Sequence, residues 1–208
     1  MPGRHTNIAH LSSPYLDKIN DAFIGSGSST GTGASPYPGQ LGAYMELTEA
    51  EANAMSSAPS TLSFHSGVYQ YVQFKSGTTD AVAQGQIVLW STPASYIVTP
   101  DASGTGVLGQ WAGVALNAVS KGQYGWIQVA GRANVLFKTG LTAATPAIGD
   151  VVIVDQSAST SGIFADDPTQ SSFASTYTIF KSILGVAEAA PISATISVVQ
   201  LYPHFWNE

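Results

Sequence analysis

The segment GSSTG, Gly27–Gly31, matches the Gly-x-Ser-x-Gly pattern of a hydrolase nucleophile elbow. That chemistry requires a tight strand-to-helix turn that fixes the serine oxygen above a sheet. Ser29 instead lies in GSGSSTGTGASP, Gly25–Pro36, where ten of twelve residues are Gly, Ser or Thr. This composition makes a flexible linker, with an r.m.s. span of about 19 Å. No lysine follows the glycines, so the tract is no phosphate loop either. Ser29 is read as linker.

The four histidines, His5, His10, His65 and His204, are scattered. His5 and His10 lack the i, i+4 spacing of a helical metal pair, and solvated or interface histidines are expected. Asp166 and Asp167 in ADDP would need several more oxygen ligands to hold calcium; an acidic turn is expected. Most acidic residues in the second part of the chain, among them Asp80, Asp101 and Asp155, fall where turns are expected. No catalytic, cofactor-binding or metal site is assigned, and the chain is read as a non-enzyme.

The 208 residues carry seven Lys and Arg, thirteen Asp and Glu, and no cysteine. Absent thiols exclude disulfides, thiolate zinc and a cysteine nucleophile. Charged residues make up 10%, against roughly 25% in an average soluble domain. With a net charge of −6 and no basic cluster, the chain lacks the side chains that neutralise phosphates. Direct nucleic-acid binding is not expected. No apolar stretch approaches the length of a membrane span, no leader-like apolar run opens the chain, and Asn-x-Ser/Thr sequons are missing. A surface of Ser, Thr, Gln and Gly suits a protein packed against neighbours.

Composition divides the chain near residue 60. Residues 1–60 are expected to form an N-terminal arm, the linker and one short helix; residues 61–208 form a β-rich domain. In the first part, Thr48 and Glu51 of LTEAEANAM make a capping box that predicts a helix over about 49–55. In the second, strand patterns recur every eight to fourteen residues, bounded by Gly, Pro, Ser and Asp. GVYQYVQF (Gly67–Phe74) alternates two faces. GQIVLW (Gly85–Trp90) and GDVVIVD (Gly149–Asp155) are apolar runs behind a glycine. WIQVAGRANVLF (Trp126–Phe137) is expected to be two strands joined by a turn or bulge at Ala130–Gly131. YTIFKSILGVAEA and ATISVVQLY complete the set. The fold class is all-β, a barrel or sandwich.

One phrase occurs twice. GVALNAVSKGQYGWIQV (Gly113–Val129) and GVAEAAPISATISVVQL (Gly185–Leu201) align without a gap at an offset of 72. Each follows its own short strand, so an internal structural repeat is expected.

The remaining candidates are apolar and terminal. Residues 1–24 hold Ile8, Leu11, Tyr15, Leu16, Ile19, Phe23 and Ile24, too apolar for a purely solvated tail. An arm that orders against a neighbouring subunit is expected. At the other end Tyr202, Phe205 and Trp206 could anchor in a partner's pocket, as aromatics do at interface hot spots, or cap the barrel's own open end.

GQIVLW, QWAGVALNAVSKGQYGWIQVAGRANVLF and AIGDVVIVD together resemble the capsid decoration, or cement, proteins of tailed bacteriophages. The similar region spans roughly residues 67–155, and departs from the family pattern in having Gln86 where the first Gly-Asp would stand. The resemblance implies a β-rich homotrimer on the outer surface of the virion that clamps adjacent major capsid protein subunits. It implies no cofactor and no membrane. Capsid or subunit contacts are then expected at Ile8, Leu11, Tyr15, Leu16, Phe23, Tyr202, Phe205 and Trp206. The alternative is a head-fibre or adhesin module that binds glycan through exposed aromatics such as Tyr69, Tyr71 or Trp111.

Overall fold

The computed structural model describes residues 41–54, 64–75, 82–100, 111–116, 118–120, 122–137, 147–155, 164–166, 183–188 and 196–202. The arm, the linker, Ser29, His5, His10, His204, Asp80, Asp101 and Asp167 lie outside them. The described elements are β1 (Tyr44–Leu47), α1 (Glu49–Ala54), β2 (Gly67–Phe74), β3 (Ile87–Thr92), β4 (Ile97–Thr99), β5 (Trp111–Ala115), β6 (Tyr124–Leu136), β7 (Val151–Asp155), β8 (Phe164–Asp166), β9 (Ile183–Ala187) and β10 (Ile196–Leu201). The expected all-β class is found, and among the described residues there is one short α-helix, where the capping box places it.

Strands run in the order β1-β2-β4-β3-β5-β6-β10-β9-β7-β8, and β2 also pairs β6. That extra pairing closes β2, β4, β3, β5 and β6 into a five-stranded barrel. Closure removes free edges from the first half of the domain. The β2–β4 contact is parallel, and every other ladder is antiparallel.

The repeat is structural. β3 and β5 align Ile87 with Val114, Val88 with Gly113 and Leu89 with Trp111, with a register shift after Val88. β7 and β9 align Val151 with Val186, Val152 with Gly185 and Ile153 with Ile183, with the shift after Val152. Moving 64 residues along the first strand and 72 along the second converts one ladder into the other, bulge included. The next ladder follows suit: Val114 faces Gln128 as Val186 faces Gln200, and Ala115 faces Ile127 as Ala187 faces Val199.

Even the entry turns match. Gly85 N–H donates to the Ala115 carbonyl and Gly149 N–H to that of Ala187, both at 2.8 Å. Ala83 N–H donates to Gln86 Oε1 at 2.8 Å, and Ala147 N–H to Asp150 Oδ2 at 2.7 Å. A third copy of this turn, Ser120–Gln123, precedes β6, with Ser120 N–H donating to Gln123 Oε1 at 3.1 Å. In each, the residue before the Gln or Asp is a glycine at φ 78°, 93° or 77°. A type II turn demands that conformation at its third residue. Gln86 therefore does the work of an aspartate with one more methylene.

β6 belongs to both units. The expected split at Ala130–Gly131 is not a break: residues 124–136 form one strand, and what changes at Gly131 is its partner. Before it β6 pairs β5 and β2; after it, β10. The bulge falls at Val129, because Tyr69 faces Gln128 and Val68 faces Ala130. Gly131 has φ 89°, and a Cβ there would come within 2.5 Å of the Ser66 carbonyl oxygen. A glycine lets one strand turn from the first sheet into the second.

The second unit is therefore β6 (C-terminal half), β7, β8, β9 and β10, arranged as β2, β3, β4, β5 and β6 (N-terminal half) are in the first. It differs at closure. In the first unit Gln73 N–H donates to the Tyr96 carbonyl beside β4. At the matching place Leu136 N–H donates to the Gly85 carbonyl at 2.8 Å, in the turn that starts β3. The end of β6 is thus bonded to the entry turn of the first barrel.

Three cores result. Val72, Phe74, Val88, Trp90, Val98 and Ile127 fill the first barrel. Ala133, Val135, Phe137, Val152, Leu184, Val199 and Leu201 line the second unit, joined by Ile87, Leu89, Trp111 and Val114 from the outside of β3 and β5. Met45, Leu47, Ala52, Phe64, Tyr69, Tyr71, Tyr124 and Trp126 form the third, where β1 and α1 cover the outside of β2 and β6. β1, within the stretch expected to precede the β domain, is hydrogen-bonded to β2 along its length.

Candidate interaction surface

α1 begins as its capping box predicts. Thr48 N–H donates to Glu51 Oε2 at 2.8 Å, and Glu51 N–H donates back to Thr48 Oγ1 at 3.3 Å. The hydroxyl and backbone N–H of Thr48 hold the Glu51 carboxyl below its ordinary value. The cap fixes where Glu49 lies. Arg132, just past the β6 crossover, places Nε 2.6 Å from Glu188 Oε2 and Nη1 3.5 Å from Glu49 Oε2. One guanidinium thus ties α1, β6 and the residue after β9 together. All three side chains are about a third or more exposed, so the pairs fix orientation more than they stabilise.

Beneath this clasp lies His65, only 8% exposed. It is buried because the chain leads it under α1 and into β2; the Tyr69 hydroxyl donates to its carbonyl. Burial first, then the Arg132 guanidinium, hold its ring below the usual histidine value; Glu49, Asn134 and Glu188 act in the opposite sense. Gln128, 2% exposed, donates from Nε2 to the carbonyls of Arg132 and Ala130. The glutamine near the end of the first repeated phrase therefore fastens the crossover of β6.

The aromatics expected to form an exposed glycan platform are core residues. Tyr69, Tyr71 and Trp111 are 1%, 0% and 2% exposed. Alternation along β2 suggested one wet face, but β1 and α1 cover the outside of β2, and the second unit covers Trp111. Burial pushes the Tyr69 hydroxyl far above its ordinary value.

The exposed aromatics are others. Tyr96, 37% exposed, sits at φ 53°, a conformation a tyrosine rarely adopts. Its ring lies edge-on to Trp90 and directly over Gly42, where any Cβ would overlap it. Tyr44, 41% exposed, is two residues further on. Its hydroxyl is raised by burial and then by Tyr96, against a hydrogen bond with Gln70.

Of the expected contact residues only Tyr202 is described; Ile8, Leu11, Tyr15, Leu16, Phe23, Phe205 and Trp206 lie outside the described residues. Tyr202 N–H donates to the Leu184 carbonyl at 3.0 Å, while the side chain is 48% exposed. The residue is fixed by its backbone and about half of it meets solvent. Asp155 and Asp166, expected at turns, stand in β7 and β8. Among the described residues no group of three His, Cys, Asp or Glu side chains converges to hold a metal, and no helix is long and apolar enough to cross a membrane.

The fold defines an all-β protein in which one closed five-stranded barrel is followed by further strands in a related arrangement. No family model matches the chain, and no curated protein matches it.

Proposed function

We propose that the protein is a structural component of a phage virion, bound as a homotrimer to the outer capsid surface, where it clamps adjacent major capsid protein subunits. The observation that carries this reading is the repeated unit of Gly-Gln or Gly-Asp turn, apolar strand and Gly-Val-Ala strand, the pattern in which the sequence resembles decoration proteins. The scarcity of charge and the exposed Tyr202 beside β9 support it. In this reading the tethered arm, with Ile8, Leu11, Tyr15, Leu16 and Phe23, reaches one capsid subunit. The C-terminal aromatics Tyr202, Phe205 and Trp206 reach another. Two linked weak contacts hold far better than either alone, because the first raises the effective concentration of the second. The reading assigns the chain no catalytic step and no cofactor.

Deleting residues 1–24 tests it. The truncated protein should keep its β-sheet circular dichroism and lose binding to the capsid. Full capsid occupancy by the truncated protein would contradict the arm's role.

A second reading, a head-fibre or adhesin module that binds glycan, is favoured by one observation: Tyr44 and Tyr96 are exposed near one another on a rigid barrel. Selective binding on a glycan array, lost in Tyr96→Ala and kept after deletion of residues 1–24, would favour it over the clamp.

A further inference from the structure

We infer that His65 is a proton-operated latch: when its ring takes up a proton, the strap made of β1 and α1 comes away from the first barrel and uncovers Tyr69, Tyr71, Tyr124 and Trp126. The latch holds whether or not the chain coats a capsid. His65 lines a cavity of about 10 Å³ with Gln84, Gly85, Leu116, Gln128 and Asn134, room for one water at most. Neither of its ring nitrogens has a hydrogen-bond partner among the described residues. A neutral ring leaves one donor and one acceptor unmatched. A protonated ring carries two N–H donors and a full charge, which so small a cavity cannot hydrate.

The neighbouring charges do not rescue it. Those facing the ring are Arg132 from β6, Glu49 from α1 and Glu188 beyond β9. Gln84 and Gly85 before β3, and Val114, Ala115 and Leu116 from β5 onward, bring none. From β2 the Tyr69 hydroxyl reaches the His65 carbonyl. Both carboxylates are already held by the Arg132 guanidinium, whose own charge repels a protonated ring. The ring therefore leaves when it charges. Phe64 beside it packs with Met45, Leu47 and Ala52 of the strap, so the two move together. The strap is also the part able to yield. β1 has four residues, stands at one end of the strand order and pairs with β2 alone, while the barrel beneath is closed. Weakly tied elements open locally at lower cost than a core does.

Burial holds the closed ring below the ordinary 6.5, the value it regains in water. From pH 6.5 down to the closed ring's own value, the opening constant should rise about tenfold for each pH unit. Amide hydrogen exchange on the full chain from about pH 7.5 to 5, corrected for the intrinsic pH dependence of exchange, tests this. Protection of β1, α1 and the Tyr71 N–H, which donates to the Ala43 carbonyl, should fall at that rate while β3 and β5 keep theirs. His65→Gln should abolish the dependence. Strap protection that does not change with pH overturns the latch. So does loss in β3 and β5 in step with the strap, or a loss that persists in folded His65→Gln. If circular dichroism shows His65→Gln unfolded, Arg132→Gln takes its place. Without the guanidinium, Glu49 and Glu188 are free to receive the charged ring, so the loss of protection should be smaller and level off at a higher pH. A loss as deep as in wild type would overturn the latch.

Discussion

Gly185 lies directly against the backbone carbonyl of Gln200, so close that a Cβ at Gly185 would overlap the oxygen. The first copy of the phrase has the same relationship: a Cβ on Gly113 would stand 2.7 Å from the carbonyl oxygen of Gln128. The glycine at the head of each phrase is thus set by one close approach between neighbouring strands; because the partner atom is a backbone carbonyl, the contact constrains the glycine and not the side chain opposite it.

Gly149 and Gly185 should therefore respond differently. Gly149, at φ 93°, would place a Cβ in open space, so Gly149→Ala carries only the cost of a left-handed backbone, about 1 kcal/mol. Gly185→Ala must push β9 from β10 and should cost about 2 kcal/mol or more. Urea denaturation midpoints compare them; equal losses would contradict the contact.

Trp111→Ala should destabilise the domain by about 3–5 kcal/mol, because the side chain is buried between the two units. A variant that kept its unfolding midpoint would place Trp111 on the surface and revive it as a glycan contact.

The cap of α1 is a smaller lever. Thr48→Ala removes the hydroxyl that Glu51 N–H and the Glu51 carboxylate share, and should cost about 1 kcal/mol. Hydrogen exchange should speed up in α1 and β1 while the barrel strands stay protected. Uniform acceleration throughout the domain would contradict this, since α1 packs on the outside only.

His65 makes stability depend on pH in one direction. Its folded value lies below the ordinary 6.5, so as pH falls the unfolded chain takes up this proton first. Between the two values the unfolded state binds more protons, and stability rises with pH. The contribution is complete above about 6.5 and declines as pH drops below it toward the folded value. The charged groups facing the ring are Arg132, Glu49 and Glu188. His65→Gln should remove this component, seen as a shallower loss of melting temperature below pH 6.5 than in wild type. Parallel melting curves would contradict the assignment.

Much of the fold was legible because local chemistry decided it. GVYQYVQF is β2 residue for residue, and Thr48 and Glu51 mark the start of α1. What was not legible depends on what lies on top. Tyr69 and Tyr71 read as one face of an alternating strand, and only the four-residue β1 and its helix reveal that the face is covered. The correspondence of β2 with the second half of β6 leaves few identities, Val72 with Val135 and Phe74 with Phe137, because only inward positions are constrained. Gly131 carried a turn signal, but a glycine that breaks a strand and one that sends it into a second sheet look alike in sequence. The clasp of Arg132 with Glu49 and Glu188 joins residues 83 and 56 positions apart, and no spacing rule announces it.

We propose that this chain coats a capsid by contact alone. Quantitative mass spectrometry of purified virions tests this most directly, by counting copies of this chain against the major capsid protein. A fixed ratio near one copy for each capsid subunit, or for each cluster of subunits it clamps, is the predicted result. Absence from the virion, or copies sufficient only for a tail or a single vertex, would contradict the account.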